Sequence, residues 1–164
     1  MITVSDTSPV HYLILIGQVE LLPELFEAIL IPEAVAIEMR HPKAPIEVRE
    51  WIASPPNWVS IRKPKHEYVP KASGLGSGEI AAIALAIEVN ADALLTDDRA
   101  AIREGRNSNL TVLTTFAVLE LAAIKNLTNF EEILDILAHT TFRMPPDEVV
   151  NEYLRRNLER KSAK

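Results

Sequence analysis

Apolar residues in this chain fall alternately into short compact runs and longer stretches at helical spacing, and this alternation predicts the fold. Ile2-Thr3-Val4 is a short run of strand type, broken by Ser5-Asp6-Thr7-Ser8-Pro9 before a second apolar run starts at Val10. Pro9 suits the first position of a helix, where its missing N–H costs nothing, and Ser8 before it is a good N-cap. Asp6 then lies where strand meets helix. Ligand sites of open α/β sheets lie at the carboxyl ends of strands, so Asp6 is either a site residue or a cap or Asx-turn residue.

The pattern continues in the same style. A helix through His11-Tyr12-Leu13-Ile14-Leu15-Ile16 stops at Gly17, and Pro23 can start a second short one. Ala28 to Ile31, closed by Pro32, reads as a buried strand. Helices follow from Pro32 to Arg40 and from Pro45 to Ala53, and Trp58-Val59-Ser60-Ile61 reads as an edge strand. Arg62 to Ser77 is irregular and predicts a loop over or beside a site. Ile80 to Val89 is apolar nearly all round, as a central buried helix should be. Asp92 to Thr96 is a strand ending in Asp97-Asp98, a helix runs from there to Gly105, and Thr111 to Thr114 is a further strand. Phe116 to Lys125 and Asn129 to Ala138 form a helix pair. The tail from Asp147 to Lys161 gathers Val149, Val150, Tyr153, Leu154 and Leu158 on one side, a stripe for core or dimer packing or, as an alternative, for a protein partner. Strands alternating with helices argue for a three-layer α/β/α domain with a central, mostly parallel sheet of four or five strands. We read residues 1–164 as a single domain, with 126–164 as a C-terminal helical extension.

Composition narrows the chemistry. The chain has 164 residues, of which 48% are hydrophobic, too many for disorder. No apolar run predicts a membrane span, and no basic stretch precedes the first apolar segment as in a secretory signal. The absence of cysteine excludes disulfides, thiolate metal sites and cysteine nucleophiles, and fits a reducing cytoplasm. A net charge of −6 opposes bulk attraction to nucleic acid, though not a local basic rim.

The acids are the chemistry-bearing residues. Asp6 and Asp97-Asp98 end strands. Glu79 opens the buried helix, either as a first-turn acid favoured by the helix dipole or as a site residue. Glu38 sits late in its helix, where the dipole disfavours an acid; the simple alternative is a solvated surface residue. Carboxylates converging at one end of a parallel sheet repel unless a cation or shared protons relieve them. Hard oxygen ligands without Cys suit Mg²⁺ or Mn²⁺, which serve in-line phosphodiester displacement. Arg99 is a candidate phosphate clamp, or else an ion-pair partner of Asp97 or Asp98.

Val4-Ser5-Asp6-Thr7-Ser8-Pro9, Ile31-Pro32-Glu33-Ala34-Val35 leading to Glu38, Gly78-Glu79-Ile80-Ala81-Ala82-Ile83, and Leu94-Leu95-Thr96-Asp97-Asp98-Arg99 together resemble PIN domains in order and spacing. The likeness is closest to a bacterial and archaeal subfamily that opens with Asp-Thr-Ser-Pro, and it covers about residues 1–125. It implies a metal-dependent ribonuclease leaving a 5′-phosphate, often the toxin of a toxin–antitoxin pair of the VapC kind. By motif position Asp6, Glu38 and Glu79 match the first three acids, with Glu79 standing where Asp is common. The fourth is Asp97 by ungapped counting from Glu79, or Asp98 by the Thr-x-Asp pattern read from Thr96. Asp6, Glu79 and Asp97 or Asp98 would hold Mg²⁺ or Mn²⁺, and Glu38 would complete the site or polarise the attacking water. Thr7, Ser8 and Thr96 would be secondary polar groups. The resemblance also implies an RNA substrate, a small antitoxin partner and a homodimer.

Other signals are weaker. Gly74-Leu75-Gly76-Ser77-Gly78 has Glu79 where a dinucleotide loop needs its next glycine, and no good strand precedes it. The run reads instead as a flexible hinge leading into the Glu79 helix. The four histidines lack metal-ligand spacing, and none lies at a motif-like spacing from Ser5 or Ser8, so a hydrolase triad has no support. Lys63, Lys65, Lys71, Arg99, Arg103 and Arg106 offer an RNA-guiding rim or ordinary solvated charge. Aromatic residues, at 5%, are too few for extensive base stacking. The rival readings are a catalytically weak PIN scaffold that binds RNA or protein, and a receiver-like domain, for which no strand order or lysine speaks.

Overall fold

In a computed structural model describing residues 1–164, the chain divides into two compact units, Met1–Thr115 and Phe116–Lys164. The first unit is built on β1 (Ile2–Ser5), β2 (Ala28–Pro32), β3 (Val59–Arg62), β4 (Ala93–Leu95) and β5 (Val112–Leu113). They form one five-stranded sheet in the order β3-β2-β1-β4-β5. Every pairing is parallel, so the sheet is wholly and not mostly so. Parallel neighbours need crossovers, and the helices α1 (Thr7–Leu15), α2 (Leu21–Leu25), α3 (Glu33–Met39), α4 (Ile46–Ala53), α5 (Ser77–Glu88) and α6 (Arg99–Asn107) lie in them.

Val4 of β1 stands opposite Leu30 on one side and Leu94 on the other. These three side chains meet Ala82, Ile83, Leu85 and Ala86 of α5 and Ala101 of α6 in one buried cluster. That is why α5 is apolar nearly all round: it lies against β1, β2 and β4 and is flanked by α3 and α6. Gly105 lets α6 come close, since a Cβ there would stand 3.0 Å from Val112 Cγ2. Gly105 is therefore a packing residue and does not end the helix, which continues to Asn107.

Strand order matters most for function. From β1 the chain runs outward to β2 and β3, then returns to β4 beside β1 and outward to β5. The two directions part between β1 and β4, and the crevice at their carboxyl ends is where such sheets bind ligands. Asp6 and Thr96-Asp97-Asp98 are the residues that follow those two strands.

The second unit is helical, with α7 running over Thr115–Ile124, α8 over Phe130–Ala138 and α9 over Asp147–Ser162. Asn129 caps α8 by accepting from the Glu131 and Glu132 N–H groups, which satisfies donors that the helix leaves open. Tyr153 meets Phe116 edge-on at 5.4 Å and stacks near Phe130 at 6.1 Å. The tail helix is rotated from the expected apolar stripe. Leu158 is 57% exposed whereas Asn157 is 4% exposed, because Asn157 Nδ2 donates to Glu131 and Arg156 and Arg160 reach Glu120. No helix is long and apolar enough to cross a membrane.

Candidate active site

Asp6 leaves β1 with its N–H donating to the Leu95 carbonyl, so the last pairing of the sheet aims its side chain into the β1/β4 crevice. One carboxylate oxygen accepts the Thr7 N–H at 2.7 Å and the other the Thr96 hydroxyl at 3.0 Å. Asp6 is also the N-cap of α1, which starts at Thr7. Ser8 is not the cap that the sequence suggested. It lies inside the helix and donates to Asp97 Oδ2 at 2.7 Å, across 89 residues of chain.

Burial, with the charges of Glu79 and Glu38 adding to it, pushes the Asp6 carboxyl up to about 7 against the lowering bonds from Thr7 and Thr96. A carboxylate 3% exposed beside two glutamates has no cation to compensate it. Ordinary structural acids are not left so.

Glu38, at the end of α3, accepts the Thr7 hydroxyl, so Thr7 bridges Asp6 through its N–H and Glu38 through its Oγ1. Gly78 makes room for this, because a Cβ there would stand 2.5 Å from Glu38 Oε1. Glu79 turns back on its own helix start and accepts the Gly76 N–H, the acidic half of a capping box. The cap and the site reading therefore describe the same side chain, which caps α5 and still raises the Asp6 pKa.

Asp97 and Asp98 part company. Asp98 caps α6 by accepting the Ala101 N–H at 2.8 Å. Asp97 accepts the Ser8 hydroxyl and both the N–H and hydroxyl of Thr115. Ser8 thus ties Asp97 to the helix that Asp6 caps, while Asp98 is directed to its own backbone. Arg99 is exposed and enters none of the molecule's ion pairs, so its pairing with Asp97 or Asp98 is not formed.

The set is all oxygen: carboxylates of Asp6, Glu38, Glu79 and Asp97, with hydroxyls of Thr7, Ser8 and Thr96. Its excess negative charge and hard donors fit a divalent ion such as Mg²⁺ or Mn²⁺. No three acidic or histidine side chains are grouped to chelate as they stand. The fit is thus one of donor type and charge, with hydroxyls holding the carboxylates in place.

A family model described as a PIN domain matches residues 2–159. The chain belongs to the PIN-domain family. The PIN fold is of the nuclease type. The fold is also similar to that of a PilT N-terminus domain protein from the hyperthermophilic archaeon Sulfolobus solfataricus P2. That match has a TM-score of 0.51 at 18% identity, over 88% of this chain and 100% of the other. No curated protein matches the chain.

Three residues of this PIN domain escaped the sequence reading. Thr115 holds Asp97 from a helix start far along the chain, and nothing local marks it. Gly78 looked like part of a flexible hinge, yet it is buried against Glu38. Glu104 is 1% exposed and accepts from Tyr68 Oη, Lys71 N and Ala72 N, which fastens the Arg62–Ser77 loop to α6. Those bonds, led by that from Tyr68, lower the Glu104 pKa. A signal for it existed: Glu104 lies three residues after Ala101 and next to Gly105, on the stripe of α6 that is buried.

Proposed function

We propose that this PIN domain is a Mg²⁺- or Mn²⁺-dependent endoribonuclease. The observation that supports it best is the meeting of Asp6, Glu38 and Glu79 at the sheet's switch point with no cation among them. Asp97 is held to the same helix start through Ser8.

In this reading Asp6, Glu79 and Asp97 would hold the ion, and Asp98 stays on the α6 backbone. When bound, the ion supplies positive charge to the scissile phosphate and lowers the pKa of water. Glu38 is exposed and takes the proton of the attacking water, its orientation set by the Thr7 hydroxyl. Ser8 and Thr115 fix Asp97. Arg99, exposed and unpaired with any acid, meets a phosphate oxygen. An RNA substrate, a toxin role with a small antitoxin protein, a homodimer and a cytoplasmic setting belong to the same proposal.

A second reading, a scaffold that binds RNA without cutting it, draws support from the hydroxyl bonds to Glu38 and Asp97 and from the lack of a ready chelating group. One assay separates the two. A panel of RNAs is incubated with the pure protein and Mn²⁺, with EDTA and Asp6→Asn as controls. We expect cleavage that EDTA abolishes and that Asp6→Asn lowers at least about 100-fold, as loss of a group facing the reacting charge does. Cleavage untouched by Asp6→Asn would overturn the site, and binding without cleavage would favour the scaffold.

A further inference from the structure

A cavity of about 540 Å³ is lined by residues of α3 and α5, the helices that carry Glu38 and Glu79, and takes no part in the proposed hydrolysis. Ala34 and Ile37 of α3, Ser77, Ile80 and Ala81 of α5, and Lys63, Pro64 and His66 to Val69 of the connecting loop form its walls. Ala34 is one turn before Glu38 on the same helix face, and Ser77 and Ile80 flank Gly78-Glu79. The cavity therefore continues along the two helices that carry two of the acids. We propose that it is a base-recognition subsite, taking one unstacked base of the substrate strand and preferring a base with an exocyclic amine. This inference rests on the endoribonuclease reading of the neighbouring carboxylates.

Size and stiffness come first. The volume of about 540 Å³ falls within the roughly 300–1,000 Å³ of small-ligand pockets, room for one nucleotide and not for a duplex. One wall is an aromatic ring held in place. Tyr68 Oη donates to Glu104 at 2.6 Å and lies 3.0 Å from Ser108 Oγ, while the Lys65 N–H is tied to Glu88 at 2.7 Å. A fixed ring costs little entropy when a base stacks on it.

Chemistry comes second. The apolar walls of Ile37, Ile80 and Val69 suit the face of a base, and Ile37 and Val69 are 60% and 82% exposed. Lys63 is exposed and takes part in none of the ion pairs, so it can meet a backbone phosphate. Glu33 and Glu67 are exposed carboxylates on the lining, and ionised carboxylates only accept hydrogen bonds. Adenine, cytosine and guanine each present to such an acceptor an exocyclic amine with two N–H groups, whereas uracil has only its single ring N3–H.

The test measures binding, so that it does not depend on cleavage. Labelled uridine hexamers, either all-uridine or with one central adenosine, cytidine or guanosine, are titrated by fluorescence anisotropy into the Asp6→Asn protein. At least one amine-bearing hexamer should bind about tenfold tighter than all-uridine, the effect of one good base contact. In the same background Ala81→Phe, which fills the cavity, should erase that preference. If Ala81→Phe does not fold by its thermal transition, Ile37→Trp fills the same space from an exposed position. Equal binding of the four hexamers, or a preference that survives the filled cavity, overturns the subsite. If the wild-type protein cuts none of the RNAs yet the preference exists and is lost on filling, the subsite stands and the nuclease reading falls. If the wild-type protein cuts RNA but shows no base preference, the subsite falls and the nuclease reading stands.

Discussion

The helical unit and the carboxyl end of the sheet treat carboxylates in opposite ways. In Phe116–Lys164, acids are met by cations: Glu120 accepts from Arg156 at 2.8 Å and from Arg160 at 2.9 Å, and Glu131 lies 3.3 Å from Lys161. At the carboxyl end of the sheet in Met1–Thr115, Asp6, Glu38, Glu79 and Asp97 are met by hydroxyls and backbone N–H groups only. Where pairs are made, Arg156 and Arg160 hold the Glu120 pKa low against its burial. Where they are not, the Asp6 pKa rises to about 7. Paired acids fasten helices together. Acids gathered and left without a cation store repulsion that a bound ion can relieve, which is a property of a site and not of a brace.

The strongest test of that contrast is pH. An acid whose folded pKa lies above its unfolded value keeps a proton in the native state that the unfolded chain has lost. For Asp6, raised from 3.8 to about 7, its own contribution to stability falls as pH rises through that interval and levels off above it. At about 1.36 kcal/mol per pH unit, the whole effect is on the order of 4 kcal/mol. Thermal melts of the metal-free wild type and of Asp6→Asn from pH 4 to 8 should show this contribution as the difference between the two curves. The variant thus gains on the wild type as pH increases while losing its activity. A constant difference between the two melting curves would mean that Asp6 is an ordinary cap.

How much of this was legible in the sequence divides by range. The compact runs at Ile2, Ala28 and Ala93 and the all-apolar helix after Gly78 marked the strands and the central helix, since periodicity and burial are local signals. Asp6 and Asp97-Asp98 were visible because acids that end apolar strands are unusual. What local chemistry left open was which of several capable residues does which task. Ser8 and Asp6 can both cap a helix, and Asp97 and Asp98 can both face a crevice. The choice is made by partners far away: Thr96 and Thr115 claim Asp6 and Asp97, and Asp97 draws Ser8 away from capping. Glu104 was missed for the same reason, because its partners sit in a loop without any periodic pattern.

A gentler perturbation asks whether the position of Glu38 matters, apart from its charge. In Gly78→Ala the new Cβ would stand 2.5 Å from Glu38 Oε1, so the carboxylate must move. Alanine is the better helix former by about 1 kcal/mol, so the melting temperature should hold or rise. Cleavage should nevertheless fall about 10- to 100-fold, the cost of misplacing a reacting group by roughly an ångström. Rates that follow stability instead would show that Glu38 is not in the machinery.

The smallest effect should come from the braced unit. Glu120→Gln keeps the shape of the side chain and its ability to accept from Arg156, but removes the charge that faces Arg156 and Arg160. Arg156 also lies 4.4 Å over the Tyr153 ring, an attraction that survives the change. Because both arginines are partly exposed, at 37% and 28%, solvent screens the pair and the loss should be only about 1 kcal/mol. It should shrink further at high salt, as screened pairs do. RNA cleavage per folded molecule should stay as it was. A loss of cleavage at unchanged stability would mean that the acids of the helical unit serve the reaction, and the line between paired and gathered carboxylates would then be drawn in the wrong place.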